Sequence, residues 1–157
     1  DPSVLRLNRG LMFHCSKLTT GVANNASVDM SITTPATDEP HMIISAASSG
    51  DAHLLFYENS TVTAGDVMAV PNHKRPSATV WGGVVLDAPT VSNVGTLLSS
   101  QLMPGGQRNQ SSGAAGDFGS EWILAASATY LIRVTNKSGA AADISVGCDH
   151  YTATVGS

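Results

Sequence analysis

The stretch that decides the fold covers residues 130–148 and reads YLIRVTNKSGAAADISVGC. Ile132 and Val134 alternate with their neighbours before the turn at residues 136–139, and Ile144 and Val146 do the same after it. Because successive side chains of a strand point to opposite faces, a period of two places these four residues on one face. The stretch therefore predicts a strand–turn–strand unit that closes the domain, with all four side chains in the core.

Strand signals of the same kind recur along the rest of the chain. They fall at residues 28–32, 42–47, 53–57, 66–70, 78–86, 95–102 and 123–124, with clusters of Gly, Pro, Asn and Ser between them. The runs 42–47 and 53–57 flank a tight loop and read as a hairpin. No long window has the helical spacing of apolar residues. About eight regularly spaced strands predict a single all-β domain, an antiparallel β-sandwich of the jelly-roll kind.

The first 20 residues follow a different pattern. They predict either an N-terminal arm that docks on a neighbouring subunit or an edge strand of the β-sandwich. The β-sandwich domain itself is placed at residues 21–157. Arginine, asparagine and glycine interrupt the apolar positions of this segment. We predict that the apolar residues of this segment contact a partner protein or a neighbouring subunit: Leu5, Leu7, Leu11, Met12 and Phe13.

Composition narrows the range of partners. Charged residues make up 13% of the chain, about half of the roughly 25% usual in soluble domains. A surface of Ser, Thr, Asn and Gly has few long side chains that lose entropy when covered, which suits a permanent assembly. A net charge of −4 argues against nucleic acid as a partner. The apolar runs are too short to span a bilayer, so no membrane partner is expected.

The motifs of enzymes and metal sites are missing from the sequence. It contains no nucleophile elbow, P-loop, dinucleotide fingerprint or His-Glu-x-x-His pair, so we predict no catalytic residue and no cofactor. Cys15 and Cys148 are expected to be buried thiols, with a disulfide between them as the alternative. Together with His14 and His150 they offer two sulfurs and two nitrogens to zinc, but the spacing Cys-x-x-Cys is absent and no metal site is predicted.

Two loops are candidates for secondary contacts. Residues 71–76 carry a basic cluster between two prolines, which either touches a phosphate backbone or an acidic partner or is simply a solvated loop. Residues 104–120 hold five glycines, and loops of this length are usually functional or mobile. The candidate residues in the two loops are His73, Lys74, Arg75 and Phe118.

The second half of the chain resembles a known class of protein. Residues 121–124 (EWIL) and 130–139 (YLIRVTNKSG) resemble small structural proteins of tailed bacteriophages. Residues 72–75, 89–91, 95–98 and 103–106 are similar to the same group, as is the acidic and aromatic end of the last strand at 149–151. The likeness covers roughly residues 70–151. Cys148 stands where a bulkier residue is more usual in that class.

The resemblance implies a jelly-roll decoration, or cement, protein. Such a protein is made in the host cytoplasm and sits on the outer surface of the virion capsid, which it stabilises by binding the major capsid protein. It is often a homotrimer, and it is not an enzyme. One alternative is a tail or fibre module that binds a host-surface glycan, and a lesser one is a β-sandwich carbohydrate-active enzyme. Aromatic residues are only 5% of the chain, which disfavours a groove built on aromatic sugar platforms.

Overall fold

The computed structural model describes residue 5 and residues 7–106, 108–110 and 121–152. Thirteen strands lie in these residues: β1 (Met12–Val22), β2 (Ser27–Thr33), β3 (His41–Ser48), β4 (Ala52–Glu58), β5 (Thr61–Thr63), β6 (Asp66–Val67), β7 (Val84–Asp87), β8 (Thr90–Asn93), β9 (Thr96–Met103), β10 (Arg108–Gln110), β11 (Trp122–Ile123), β12 (Thr129–Asn136) and β13 (Ala142–Tyr151). No helix among the described residues is long and apolar enough to cross a membrane.

The strands form two antiparallel sheets that enclose one core. The first sheet has the order β1-β13-β3-β10, with β11 also paired to β3, and the second has the order β6-β7-β2-β12-β4-β9. The pairs β1 with β13, β2 with β12, β3 with β10 and β4 with β9 are nested from the two ends of the chain inward. Nested pairs rolled into two sheets are a jelly roll. The predicted antiparallel β-sandwich is confirmed.

The segment between β4 and β9 contains four further strands that are not among these nested pairs. β5 and β8 form a separate two-stranded ribbon, while β6 and β7 extend the second sheet beside β2. The strands predicted at 66–70 and 78–86 shrink to β6 and β7. Gly83 lies just before β7, where an added Cβ would come within 2.6 Å of the Thr33 carbonyl oxygen. The backbone of Thr33 therefore approaches Gly83 too closely for a residue with a side chain.

The core follows the predicted alternation. Ile132, Val134 and Ile144 are fully buried and Val146 is 2% exposed, as the sequence predicts. They pack with the inward residues of the neighbouring strands, among them Met30, Ile32, Met42, Ile44 and Phe56. Inward side chains of both sheets thus meet in one apolar layer.

The predicted pairing of these strands is wrong in two places. β12 and β13 lie in different sheets, and so do β3 and β4, so neither pair is a hairpin. The connections carry the chain across the core from one sheet to the other. Both strands of each pair still turn one face to the same core, so a period of two cannot distinguish this arrangement from a hairpin.

The sequence left open whether the N-terminal segment is an arm or an edge strand, and much of it forms the strand β1. Residues 12–20, given as arm or edge strand, lie in β1 at the edge of the first sheet. Cys15 lies within this strand. Only the first third of β1 alternates between buried and partly exposed positions, and Ser16, Lys17 and Leu18 are all exposed. A strand that extends beyond its core loses the period-two signal.

Candidate functional site

The two predicted contact regions meet at the end of the first sheet where β1 begins. The His14 amide donates to the Pro71 carbonyl (2.9 Å), and the His73 amide donates to the Met12 carbonyl (2.8 Å). Residues 71–73 therefore run beside β1 like a short additional strand. The side-chain amide nitrogen of the buried Asn72 donates to the Gly10 carbonyl at 2.6 Å. The arm and the basic loop are thus held together by backbone and side-chain hydrogen bonds.

This contact creates a surface that combines apolar and basic groups. Lys74 Nζ donates to the Asn8 carbonyl at 2.6 Å, across the boundary between the loop and the arm. Leu5 is 52% exposed and Leu7 36%, and the three loop side chains are also exposed. We call it the arm–loop surface and define it by Leu5, Leu7, His73, Lys74 and Arg75.

Three of the five predicted arm contacts are placed differently. Leu11 and Phe13 are 8% and 1% exposed, because the chain covers them itself. Phe13 points into the core from β1 and stacks on the His150 ring, with centroids 5.7 Å apart. Neither residue is therefore the exposed contact of the arm that was predicted. Met12 is half-buried on the outer face. Phe118 lies outside the described residues.

An open cavity of about 440 Å³ lies beside the arm–loop surface. Leu11, Phe13 and Trp81 give it apolar walls, while Arg9 and Asp38 add charged groups. Trp81 is 8% exposed, and its indole nitrogen finds no hydrogen-bond partner among the described residues. A concave apolar site with a few polar groups is the usual form of a recognition pocket.

A cluster of two imidazoles and a carboxylate lies on the outer face of the first sheet. Asp149 Oδ1 is 2.8 Å from His14 Nδ1 and 2.8 Å from His73 Nε2. His14 in β1 and Asp149 in β13 are directly opposite in register, and the 71–76 loop brings His73 to them. The three side chains are 35–39% exposed. We call this group the imidazole–carboxylate cluster.

A second polar cluster lies around Tyr151, two residues after Asp149 in β13. The Tyr151 hydroxyl donates to Glu121 Oε1 at 2.7 Å, and His41 Nδ1 lies 3.1 Å from Glu121 Oε2. The rings of His41 and Tyr151 are stacked with centroids 4.9 Å apart. These contacts hold the segment before β11 against the ends of β3 and β13. The neighbouring Trp122 is half-buried and packs on Phe56.

The two cysteines form a buried sulfur pair, which agrees with the expected buried thiols. They are free, and their Sγ atoms lie 3.2 Å apart. The hydrogen bond to Cys15 and complete burial raise the pKa of the Cys148 thiol well above its ordinary value. The inner face also holds His150, but His14 points to the outer face. The four residues considered for zinc therefore do not converge.

Asp149 is the functional candidate that the sequence analysis missed. Its partners His14 and His73 are 59 residues apart in the chain and no local motif links them. The signal that identifies the cluster is the pairing of β1 with β13, which puts position 14 opposite position 149. That pairing joins the two ends of the fold and leaves no local trace in the sequence.

No protein-family model matches the chain, and a search of the curated proteins finds no matching sequence.

Proposed function

We propose that this chain is a structural virion protein that decorates and stabilises the capsid shell of a tailed bacteriophage. The resemblance of residues 70–151 to small phage structural proteins supports this class, and jelly rolls are common in viral capsid proteins. In this proposal the protein is made in the host cytoplasm, binds the outer surface of the shell and associates with copies of itself.

The arm–loop surface is the observation that carries the proposal. It offers exposed leucines, an adjoining concave pocket and a local excess of positive charge in a chain whose net charge is −4. Arg9, Lys74 and Arg75 are three of the eight lysines and arginines in the chain. Apolar anchors inside a charged rim are typical of protein–protein contacts. The partner surface on the major capsid protein should therefore be acidic, with an apolar side chain that enters the pocket.

The alternatives lack a comparable observation. A glycan-binding module or a carbohydrate-active enzyme needs aromatic faces open to a sugar. Trp81 is only 8% exposed even where it lines the open cavity, and Trp122 packs on Phe56 with ring centroids 5.1 Å apart. Neither tryptophan offers such a platform.

Co-sedimentation tests the proposal. The full chain is mixed with shells assembled from the major capsid protein encoded nearest to its own gene. We expect saturable binding that weakens as salt is raised, because exposed charges are screened. The double variant Leu5→Asp/Leu7→Asp should lose most of this binding, since each covered leucine contributes about 1.5–3 kcal/mol.

A matched pair of charge reversals locates the contact. Lys74→Glu should weaken binding, whereas Lys137→Glu, at the opposite end of β13, should not. Wild-type protein that stays in the supernatant would contradict the function. Full binding by the double leucine variant would retain the function and refute the arm–loop surface as the contact.

A further inference from the structure

We propose that the imidazole–carboxylate cluster binds a divalent transition-metal ion, with His14, His73 and Asp149 as its three protein ligands. Their ligand atoms all lie within 4.8 Å of one another, although they come from β1, the 71–76 loop and β13. This inference does not depend on the proposed function.

The donor set determines the class of ion. Imidazole nitrogen suits zinc and its neighbours in the first transition row, and a carboxylate oxygen completes a common mixed set. Calcium and magnesium prefer sites made of oxygen atoms alone. Two nitrogens and one oxygen therefore favour an ion such as Zn²⁺, Co²⁺ or Ni²⁺.

The geometry is close to that of a loaded site. Each nitrogen now lies 2.8 Å from Asp149 Oδ1, the distance of a direct hydrogen bond. An ion bonded to a nitrogen and an oxygen at about 2.1 Å separates them by about 3.0–3.4 Å, depending on the bond angle. The two imidazole nitrogens lie within 4.8 Å of each other, and rotation of these partly exposed side chains can bring them to the separation that an ion requires.

The backbone around the cluster is already fixed. Strand pairing sets the positions of His14 and Asp149, and the hydrogen bond from the His73 amide to Met12 fixes the loop at its ligand. His14 Nε2 lies 3.1 Å from Ser16 Oγ, an outer contact of the kind that orients metal-binding imidazoles. Each ligand is about one third exposed, so an ion can enter from solvent and keep a coordination position for water or a partner side chain.

Calorimetric titration of tag-free, EDTA-treated full-length protein with ZnCl₂ tests the site. We expect one Zn²⁺ per chain for the wild type. His73→Ala should weaken binding by more than the roughly 10- to 100-fold that loss of an outer contact costs, because a direct ligand is removed. His53→Ala is the matched control: His53 is exposed on β4 of the other sheet, and its loss should leave zinc affinity unchanged.

Thermal unfolding supplies a second measurement. Zn²⁺ should raise the Tm of the wild type and of His53→Ala but not that of His73→Ala or Asp149→Asn, since a ligand stabilises only the state that binds it. If Asp149→Asn fails to fold, the exposed-loop variant His73→Ala decides the question. The proposal is overturned if the wild type shows no saturable binding up to millimolar Zn²⁺, or if His53→Ala weakens it as much as His73→Ala.

Discussion

His150 occupies an unusual environment for a histidine. It is 2% exposed, stacks on Phe13 and lies with its ring centroid 4.3 Å from that of Trp81. Burial lowers its pKa from 6.5 to about 4, partly offset by the nearby Asp149 carboxylate and reinforced by His14 and His73. The side chain is therefore held in its neutral form in the folded protein at neutral pH.

This burial makes stability depend on pH. Between pH 6.5 and 4 the unfolded chain takes up a proton at this residue and the folded chain does not, so the free energy of unfolding falls as pH falls. A gap of about 2.5 pH units corresponds to about 3 kcal/mol at most. Urea unfolding in EDTA at pH 7 and pH 4.5 should show a smaller loss for His150→Met than for the wild type, by about 2–3 kcal/mol.

His53→Ala separates this effect from general acid sensitivity. His53 is exposed, and its removal should leave the pH dependence close to that of the wild type. Parallel losses of stability in the wild type and His150→Met would contradict the argument.

The connection between β12 and β13 is an element organised by one side chain. Asn136 is fully buried, and its amide nitrogen donates to the carbonyls of Val22 (2.8 Å) and Ala140 (2.7 Å). Its side-chain oxygen accepts from the Ser138 amide at 3.0 Å. These bonds tie the crossing between the two sheets to the end of β1.

Replacing this residue should weaken the whole sandwich. Asn136→Ala removes the donor of a buried bond to the Val22 carbonyl and the acceptor of the Ser138 amide, and each unsatisfied buried group costs about 1–3 kcal/mol. We expect a loss of about 2–4 kcal/mol in urea unfolding. Asn24→Ala is the matched control, because the exposed Asn24 makes a single hydrogen bond to the Gly139 amide, and it should cost under about 1 kcal/mol. Equal losses would show that burial of Asn136 is not the cause.

The same connection shows what the sequence can and cannot predict about the elements. The alternation of Ile132 with Val134, and of Ile144 with Val146, is enough to identify two strands and their buried faces. Whether the crossing joins strands of one sheet or of two depends on distant partners such as β1 and β2, whose pairings leave no local pattern. For the same reason the sequence left β1 open between an arm and an edge strand and did not predict the Asp149 position of the candidate site, while the basic loop at 71–76 was recognised from composition alone.

At the scale of the whole molecule, the exposed edge of the second sheet is the natural place for self-association. β9 has no strand partner on its outer side among the described residues. It carries Leu97 and Leu102, which are 50% and 67% exposed. An unprotected edge with apolar side chains favours pairing with another chain.

We therefore expect a homo-oligomer, a trimer in the proposed assembly, with a mass three times the 16.1 kDa of the chain. Light scattering coupled to size exclusion measures it. Leu102→Glu should give monomers, because a charge in the interface is not compensated. Val80→Glu is the matched control, since Val80 is 83% exposed on the loop side, away from β9. A wild-type monomer at all concentrations would contradict this prediction.

The pairing of the first strand with the last also constrains synthesis. On the ribosome β1 emerges long before β13, its neighbour in the sheet. At about 5–20 residues per second, the inner face of β1 waits on the order of 10 s for its partner. Phe13 and Cys15 are uncovered throughout that interval, and nascent chains on one messenger can meet there. Yield in the cell should therefore depend on translation speed and on chaperones that shield the N-terminal strand until the last strand is released.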